Sequence, residues 1–512
     1  MKKEKFCTLV IMDGFGEAPE SAGNAIFLAG TPNLDELKSK YPHTLLTAHG
    51  EEVGVVAGQM GDSEIGHMNI GGGRVVMQSL LRINNLVKSG EFFVNKKLIA
   101  VMNHVNTLGS SLHVMGLVSD GGVHSHTSHL RALLLLAKKQ NVKNVYIHVV
   151  TDGRDTPVTS GIDYVKSLEE FIETEKVGKI ASVCGRLYAM DREENYDRTY
   201  EAYKTLVYGK GQIANSAEEA IKNSYAKGVT DEFILPTIIH DNGIFHTLEN
   251  NDSFIFFNYR KDRPRQIMAS LCEKDFNKFE TKELKNLMLL TFTQVNSNFV
   301  NVLYAFDDAV LNNGLSETIS KDGFKQLKVA ETTKYAHVTY YFNGTIEKPF
   351  EGEKRELIET IKLKDFSMAP KMRANEITEK AIEGINSKQF KLIVVNLSNC
   401  DMVGHTGNIF ATKEAVKEVD RCACLMAKKT IEAGGFAIVT ADHGNADEMI
   451  SPSGAIQTSH SLNPVPFILV SNKNLNLKLK ERGKLSDIAP TILKLLGLKI
   501  PQEMNGNVLI ED

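Results

Sequence analysis

The stretch FCTLVIMD, residues 6–13, is a continuous, mostly apolar run that ends abruptly in an acid. It is too short for a membrane span, which needs about 20 apolar residues, and it does not alternate as a half-exposed strand would. Continuous short runs suit a strand buried on both faces of a parallel sheet. The pattern recurs: LHVMGLV ahead of Ser119-Asp120-Gly121-Gly122, NVYIHVV ahead of Asp152, KIASV ahead of Gly185-Arg186, SFIFF ahead of Asn258-Tyr259-Arg260, KLIVVNL ahead of Asp401, and GFAIV ahead of Asp442-His443. Helical stretches such as SHLRALLLLAKKQ (128–140) and SDIAPTILKLLG (486–497) would cover the sheet faces. The fold class is therefore α/β. Ligands of open α/β sheets sit at the carboxyl ends of the strands, where these Asp, His and Arg residues collect.

A chain of 512 residues exceeds what one core usually serves, so two domains are expected. Asp and His follow the runs near both chain ends, whereas mostly Arg follows those in the middle. That asymmetry predicts a discontinuous metal-binding domain, 1–77 with 311–512, interrupted by an inserted anion-binding domain at 78–310. The boundaries fall before SLLRINNLVKSGEFF and after the Asn-rich QVNSNFVN.

A net charge of −4 argues against nonspecific nucleic-acid binding but leaves room for a local basic pocket. Charge runs such as KLKERGK (478–484) read as solvated surface. Six cysteines without a CxxC pair suggest neither a disulfide framework nor a thiolate zinc site, and fit a reducing cytoplasm. Lys2, Lys3 and Lys5 ahead of the first apolar run imitate a signal peptide, but Asp13 ends that run and no small-residue cleavage site follows. No membrane or nucleic-acid partner is expected.

Four segments supply candidate metal ligands: Asp13; Asp401 and His405 in DMVGHTG; Asp442 and His443 in ADHGNAD; and His460 in TSHS. Aspartate and histidine four apart share a face if the segment turns helically. Asp442 and His443 would point to opposite faces of a strand, so joint use calls for a bend, which Gly444 permits. Mixed Asp and His donors suit Mn²⁺, Zn²⁺ or Co²⁺ better than Ca²⁺, and the number of ligands implies two ions. Within GDSEIGH (61–67), Ser63 reads either as a helix cap or as a nucleophile. Two nearby dications would favour the second reading by lowering the hydroxyl pKa.

Nine segments, in order along the whole chain, carry a resemblance: MGDSEIGHMNIGGGRVV (60–76), SDGGVHSH (119–126), TDGRDT (151–156), GRLYAMDR (185–192), NYRKDRPRQ (258–266), TKYAHVTYYFNG (333–344), DMVGHTGN (401–408), TADHGNAD (440–447) and HSLNPVPF (460–467). Together they resemble the cofactor-independent phosphoglycerate mutases of the alkaline phosphatase superfamily. The resemblance implies an alkaline-phosphatase-like α/β sandwich with an inserted α/β phosphotransferase domain, acting as a monomer. It implies that Asp401, His405 and His460 bind one metal ion and Asp13, Ser63, Asp442 and His443 another, usually manganese.

By the same resemblance Ser63 takes the phosphoryl group and Lys334 neutralises charge during transfer. His124, Arg154, Asp155, Arg186, Arg192, Arg260 and Arg263 correspond to the substrate-binding set, with the arginines gripping carboxylate and phosphate. Asp155 accepts the proton of a substrate hydroxyl. The implied reaction interconverts 3-phosphoglycerate and 2-phosphoglycerate. Three positions depart from the family's usual pattern: Thr333, Ser398 and Cys400 stand where an acidic or amide residue, alanine, and proline or glycine are more common. A related phosphatase or phosphopentomutase would share the ligands without the arginine set. A noncatalytic binding protein would have lost Ser63 or Lys334.

Overall fold

All six residues of the strand Cys7–Met12 are buried, because it lies inside an eight-stranded sheet. The computed structural model describes residues 3–307, 311–451, 453–473 and 475–511. The chain divides into two compact units, Met1–Gln78 with Ala309–Asp512, and Ser79–Asp308.

In the first unit the strand order is Glu353–Ile358, Lys325–Glu331, Phe390–Leu397, Cys7–Met12, Phe436–Thr440, Val465–Val470, His43–Thr47, Arg482–Lys484. Cys7–Met12 runs parallel to both neighbours, with Met12 opposite Leu397 and Ile11 opposite Thr440. The three strand ends are thus nearly flush, which brings Asp13, Asp401 and Asp442 to one edge. The sheet is not wholly parallel as the apolar runs suggested. Val465–Val470 is antiparallel to both its neighbours. That direction has a use: its first residues lie beside Thr440, so His460, just ahead of it, reaches the same edge. The apolar side chains of Leu9, Val10, Ile11 and Met12 are wholly buried, and at roughly 1.5–3 kcal/mol for each large one they anchor Asp13 firmly.

The second unit has the order Val302–Tyr304, Met288–Thr291, Ser253–Phe256, Leu112–Leu117, Val145–Thr151, Lys179–Gly185, Thr237–Ile239, Gln212–Ala214. All pairs are parallel except Lys179–Gly185 with Thr237–Ile239. Successive residues feed opposite cores: Val114, Val149, Val183 and Ile255 pack into one, Met115, Val150, Cys184 and Phe256 into the other. This two-sided burial is why the strands read as continuous apolar runs. Helix Thr127–Lys139 covers one core and helices Tyr196–Tyr208 and Arg265–Cys272 the other. No helix among the described residues is long and apolar enough to cross a membrane.

Candidate active site

Asp62 caps the helix Ser63–Gly72, its side chain accepting from the Ile65 amide at 2.8 Å. Ser63 is therefore released from capping and stands as the first helical residue, at the electropositive end of the helix. Its Oγ, buried, accepts a hydrogen bond from Lys334 Nζ at 2.6 Å and lies 2.9 Å from His443 Nε2 and 3.3 Å from Asp13 Oδ1. Lys334 sits in the short helix Thr332–Ala336 that follows strand Lys325–Glu331, and its ammonium also lies 2.8 Å from Asp13 Oδ1 and 2.7 Å from Asp401 Oδ2.

Three buried carboxylates thus face one ammonium. Burial alone would depress the lysine, but Asp13, Asp401 and Asp442 outweigh it and hold the ammonium well above its ordinary range. Burial and the neighbouring Asp442 push Asp13 up. Burial also works against Asp401 and Asp442, yet Lys334 and the histidines overcome it and keep both carboxyls low.

The histidines share one orientation. His405 Nδ1 lies 2.6 Å from the Thr458 carbonyl, His460 Nδ1 2.8 Å from that of Gly61, and His443 Nδ1 3.3 Å from that of Gly444. With Nδ1 donating outward, the Nε2 atoms point into the cluster, where a bound cation would take their lone pairs in place of a proton. His405 Nε2 and His460 Nε2 face each other at 3.3 Å, and Asp401 Oδ1 lies 3.1 and 3.3 Å from them. Asp401 Oδ1 and Asp442 Oδ2 are buried without a well-aligned donor. Converging lone pairs and anionic oxygens, each imidazole braced by a carbonyl, are what a divalent cation satisfies. Donor atoms of Asp401, His405 and His460 lie within 4.8 Å of one another, as do those of Asp13, Asp401 and His443, and those of Asp13, His67 and Asp442.

The Asp401–His405 segment does turn helically, the condition under which the two share a face, with the His405 amide donating to the Asp401 carbonyl at 3.0 Å. The strand Phe436–Thr440 ends before Asp442, so neither Asp442 nor His443 is bound by strand alternation. Gly444 serves close approach rather than a turn: a Cβ there would collide with Ser461 Oγ and come within 2.6 Å of Asp447 Oδ1. Gly66 has the same role, since a Cβ would lie 2.8 Å from Asp442 Cβ. This glycine lets the Ser63 helix press onto the Asp442 turn.

In the unit Ser79–Asp308, Arg186 is buried, with only 1% of its surface exposed. Its Nη1 donates to Asp152 Oδ1 and Asp155 Oδ2, both at 2.6 Å, and its Nη2 donates to His124 Nε2 at 2.8 Å. Asp152 in turn accepts from Ser119 Oγ at 2.7 Å and from the amides of Arg154 and Asp155. Arg186, expected to grip a ligand, is thus largely engaged in holding Asp155 and His124 in place. Arg192 and Arg260 share Asp262, at 2.8 and 3.2 Å, and Arg154 is exposed with Glu232 at 3.6 Å. Burial and the charges of Arg186, Arg192 and Arg154 depress the Arg263 guanidinium.

Because His124 Nε2 accepts from Arg186, its Nδ1 carries the hydrogen, and burial with the Arg186 charge holds this imidazole down to about 4. His124 Nδ1, Arg186 Nε and Arg263 Nε are buried and have no hydrogen-bond acceptor. Buried unsatisfied donors cost about 1–3 kcal/mol each, a cost that an anionic oxygen ligand would remove.

Residues 83–297 match the family model described as the BPG-independent PGAM N-terminus. The chain is 48% identical over 509 residues to a 2,3-bisphosphoglycerate-independent phosphoglycerate mutase of Clostridioides difficile strain 630, covering 99% of each chain. A Clostridium beijerinckii protein of the same name is 47% identical over 504 residues, 98% of each. The chain belongs to the 2,3-bisphosphoglycerate-independent phosphoglycerate mutase family. A solved Leishmania mexicana phosphoglycerate mutase, crystallised at low cobalt concentration, is similar with a TM-score of 0.66 and 28% identity, covering 100% of this chain and 98% of that one.

Of the three positions expected to depart from the family, Cys400 is wholly buried, and burial with Asp13 and Asp401 pushes its thiol up. Thr333 Oγ1 is buried without a partner. Ser398 Oγ donates to Glu331 Oε1 at 3.4 Å. The candidate set omitted Asp152, although it ends an apolar run, and Asp262, whose carboxylate two arginines share. His67 and Asn396 were also omitted. His67 had a signal in its spacing four after Ser63, and Asn396 in being the lone amide inside KLIVVNL.

Proposed function

We propose that the chain interconverts 3-phosphoglycerate and 2-phosphoglycerate without bisphosphoglycerate, by passing the phosphoryl group through Ser63. The observation that carries this reading is the setting of Ser63 Oγ: uncapped, buried, at a helix N-terminus and 2.6 Å from Lys334 Nζ. Asp401, His405 and His460 would hold one divalent ion, and Asp13, Ser63, Asp442 and His443 a second; the O and N donors suit Mn²⁺. When bound, the ions supply Lewis-acid stabilisation of charge on the transferred group and favour ionisation of the serine hydroxyl.

In the forward half-reaction a bond forms between Ser63 Oγ and phosphorus as the bond from phosphorus to glycerate O3 breaks. Ser63 gives up one proton and O3 takes up one. Lys334 offsets the charge that grows on the phosphoryl oxygens. The unit Ser79–Asp308 acts as the substrate-holding domain: His124 Nδ1 and Arg154, Arg186, Arg192, Arg260 and Arg263 bind the carboxylate and hydroxyls and retain the glycerate. Asp155, fixed by Arg186, takes the proton of the 2-hydroxyl. Glycerate O2 then bonds to phosphorus as the bond from phosphorus to Ser63 Oγ breaks; Ser63 Oγ takes up one proton and Asp155 gives up the one it accepted, so both residues return to their starting state. Exclusion of water separates this outcome from phosphate release. The reading extends to a cytoplasmic monomer, the former supported by six free cysteines.

Acid quenching during turnover with Mn²⁺, followed by peptide mass spectrometry, tests the central step. A phosphorylated peptide containing Ser63 is expected, and its absence at a time resolution finer than turnover would overturn the phosphoserine route.

A further inference from the structure

Asp13, His67 and Asp442 place ligand-type atoms within 4.8 Å of one another, which makes His67 look like an additional metal ligand. Its hydrogen bonds decide otherwise. His67 Nδ1 lies 2.8 Å from the Ser63 carbonyl and 3.3 Å from Asp442 Oδ2, both acceptors, so Nδ1 carries the hydrogen. His67 Nε2 lies 3.1 Å from Asn396 Nδ2. The same Asn396 nitrogen donates to Asp13 Oδ2 at 2.7 Å. Its two hydrogens thus serve one acceptor each, while Asn396 Oδ1 stays buried without a partner. Turning the amide over would set oxygen against the Asp13 carboxylate, so its orientation is dictated by Asp13 and His67.

Both ring nitrogens are thereby committed and no lone pair is left for an ion. His405, His443 and His460 differ: each turns Nδ1 to a backbone carbonyl and keeps Nε2 for the cluster. The four atoms Asp13 Oδ2, Asn396 Nδ2, His67 Nε2 and His67 Nδ1 instead form one chain, which ends on Asp442 and on the backbone of Ser63. It joins three separate strand ends and the serine helix.

We propose that His67 and Asn396 are positioning residues that hold Asp13, Asp442 and the first turn of the Ser63 helix in register for one of the two divalent ions, and that neither binds the ion itself. This rests on the two-ion reading above. Partners that orient metal ligands typically contribute 10–100-fold to affinity, and residues of one network have non-additive effects.

The test is calorimetric titration of metal-stripped, full-length protein with MnCl₂, with the thermal transition of each metal-free variant measured alongside. His67→Phe keeps the ring and its edge contact with His337 at 5.6 Å but removes both nitrogens. Asn396→Ser breaks the same chain at a second point with a smaller polar group. Wild type is expected to bind two Mn²⁺. Each variant is expected to bind two as well, with one affinity weakened about 10–100-fold and the other little changed, and the double variant to lose no more than about the worse single one. A stoichiometry of one in His67→Phe, persisting at millimolar Mn²⁺, would make His67 a ligand and overturn the proposal. Unchanged affinities in both variants would overturn it too, leaving the contacts as packing. Wild type binding fewer than two ions would overturn the proposal together with the two-ion reading, whereas a defect confined to the variants concerns the proposal alone.

Discussion

In the unit that contains Ser63, three buried carboxylates act on a single lysine and three inward-facing imidazoles approach the same carboxylates; in the unit Ser79–Asp308, arginines gather around His124, Asp152, Asp155 and Asp262. Both clusters stand at the carboxyl edge of a mainly parallel sheet. Local charge, not fold, separates them: one collects acceptors that call for cations, the other donors that call for an anion. The histidines follow suit. Asp401 and burial act against each other on His460, and the carboxylate prevails, raising it to about 9, whereas burial and Arg186 hold His124 down to about 4.

The contrast breaks most severely at Ser63. Ser63→Ala is expected to lower the mutase rate roughly 10⁴-fold or more, as loss of a covalent nucleophile does, with phosphoglycerate affinity by calorimetry largely kept. Survival of more than a few per cent of activity would remove the phosphoserine step. Next in size, Arg263→Ala and Arg260→Ala should raise KM by roughly 10–100-fold and roughly 10-fold respectively, the buried guanidinium mattering more than the half-exposed one. Neither should alter Mn²⁺ affinity, so a parallel loss of metal binding would blur the division between the clusters.

The pH response sharpens it further. The neighbouring Asp401 raises His460 to about 9 in the metal-free protein, and a cation needs the Nε2 lone pair, so binding of the ion held by Asp401, His405 and His460 releases that proton. Apparent Mn²⁺ affinity should climb as pH rises from 6.5 and level off near 9. His124, deprotonated above about 4, should make no such contribution to phosphoglycerate binding above pH 5. Titrations across this range in buffers of different ionisation heat would read both.

The smallest effect concerns Lys328, wholly buried with its Nζ 2.8 Å from Ser316 Oγ and 3.6 Å from the Phe342 ring centre. Burial lowers its ammonium to about 7 against an ordinary 10.5. Between those values the unfolded chain binds the extra proton, so stability should rise with pH across that window. Lys328→Met should flatten that slope in denaturant titrations.

Much of this was legible in the sequence. Apolar runs ending in Asp, His or Arg marked strands and the edge where the charged residues gather, while the Asp401–His405 spacing left open whether the segment turns helically. What the runs could not convey was direction: the antiparallel Val465–Val470, which carries His460 to the Asp13 edge, is set by pairing. Ser63 was ambiguous because any small polar residue before EIG could cap, and only the Ile65 amide's choice of Asp62 decides it. The contacts of Arg186 with Asp152, Asp155 and His124 were not legible, since they depend on burial that no motif spells out. His67 and Asn396 were missed for the same reason: their partners lie on other strands.

The most direct measurement follows 2-phosphoglycerate and free phosphate together after metal-stripped protein, reloaded with Mn²⁺, meets 3-phosphoglycerate with no bisphosphoglycerate present. Rapid 2-phosphoglycerate formation with little free phosphate, abolished by a chelator, is the expected result. Mostly free phosphate would contradict retention by the arginine cluster, and full activity in the presence of the chelator would contradict a metal-dependent Ser63 centre.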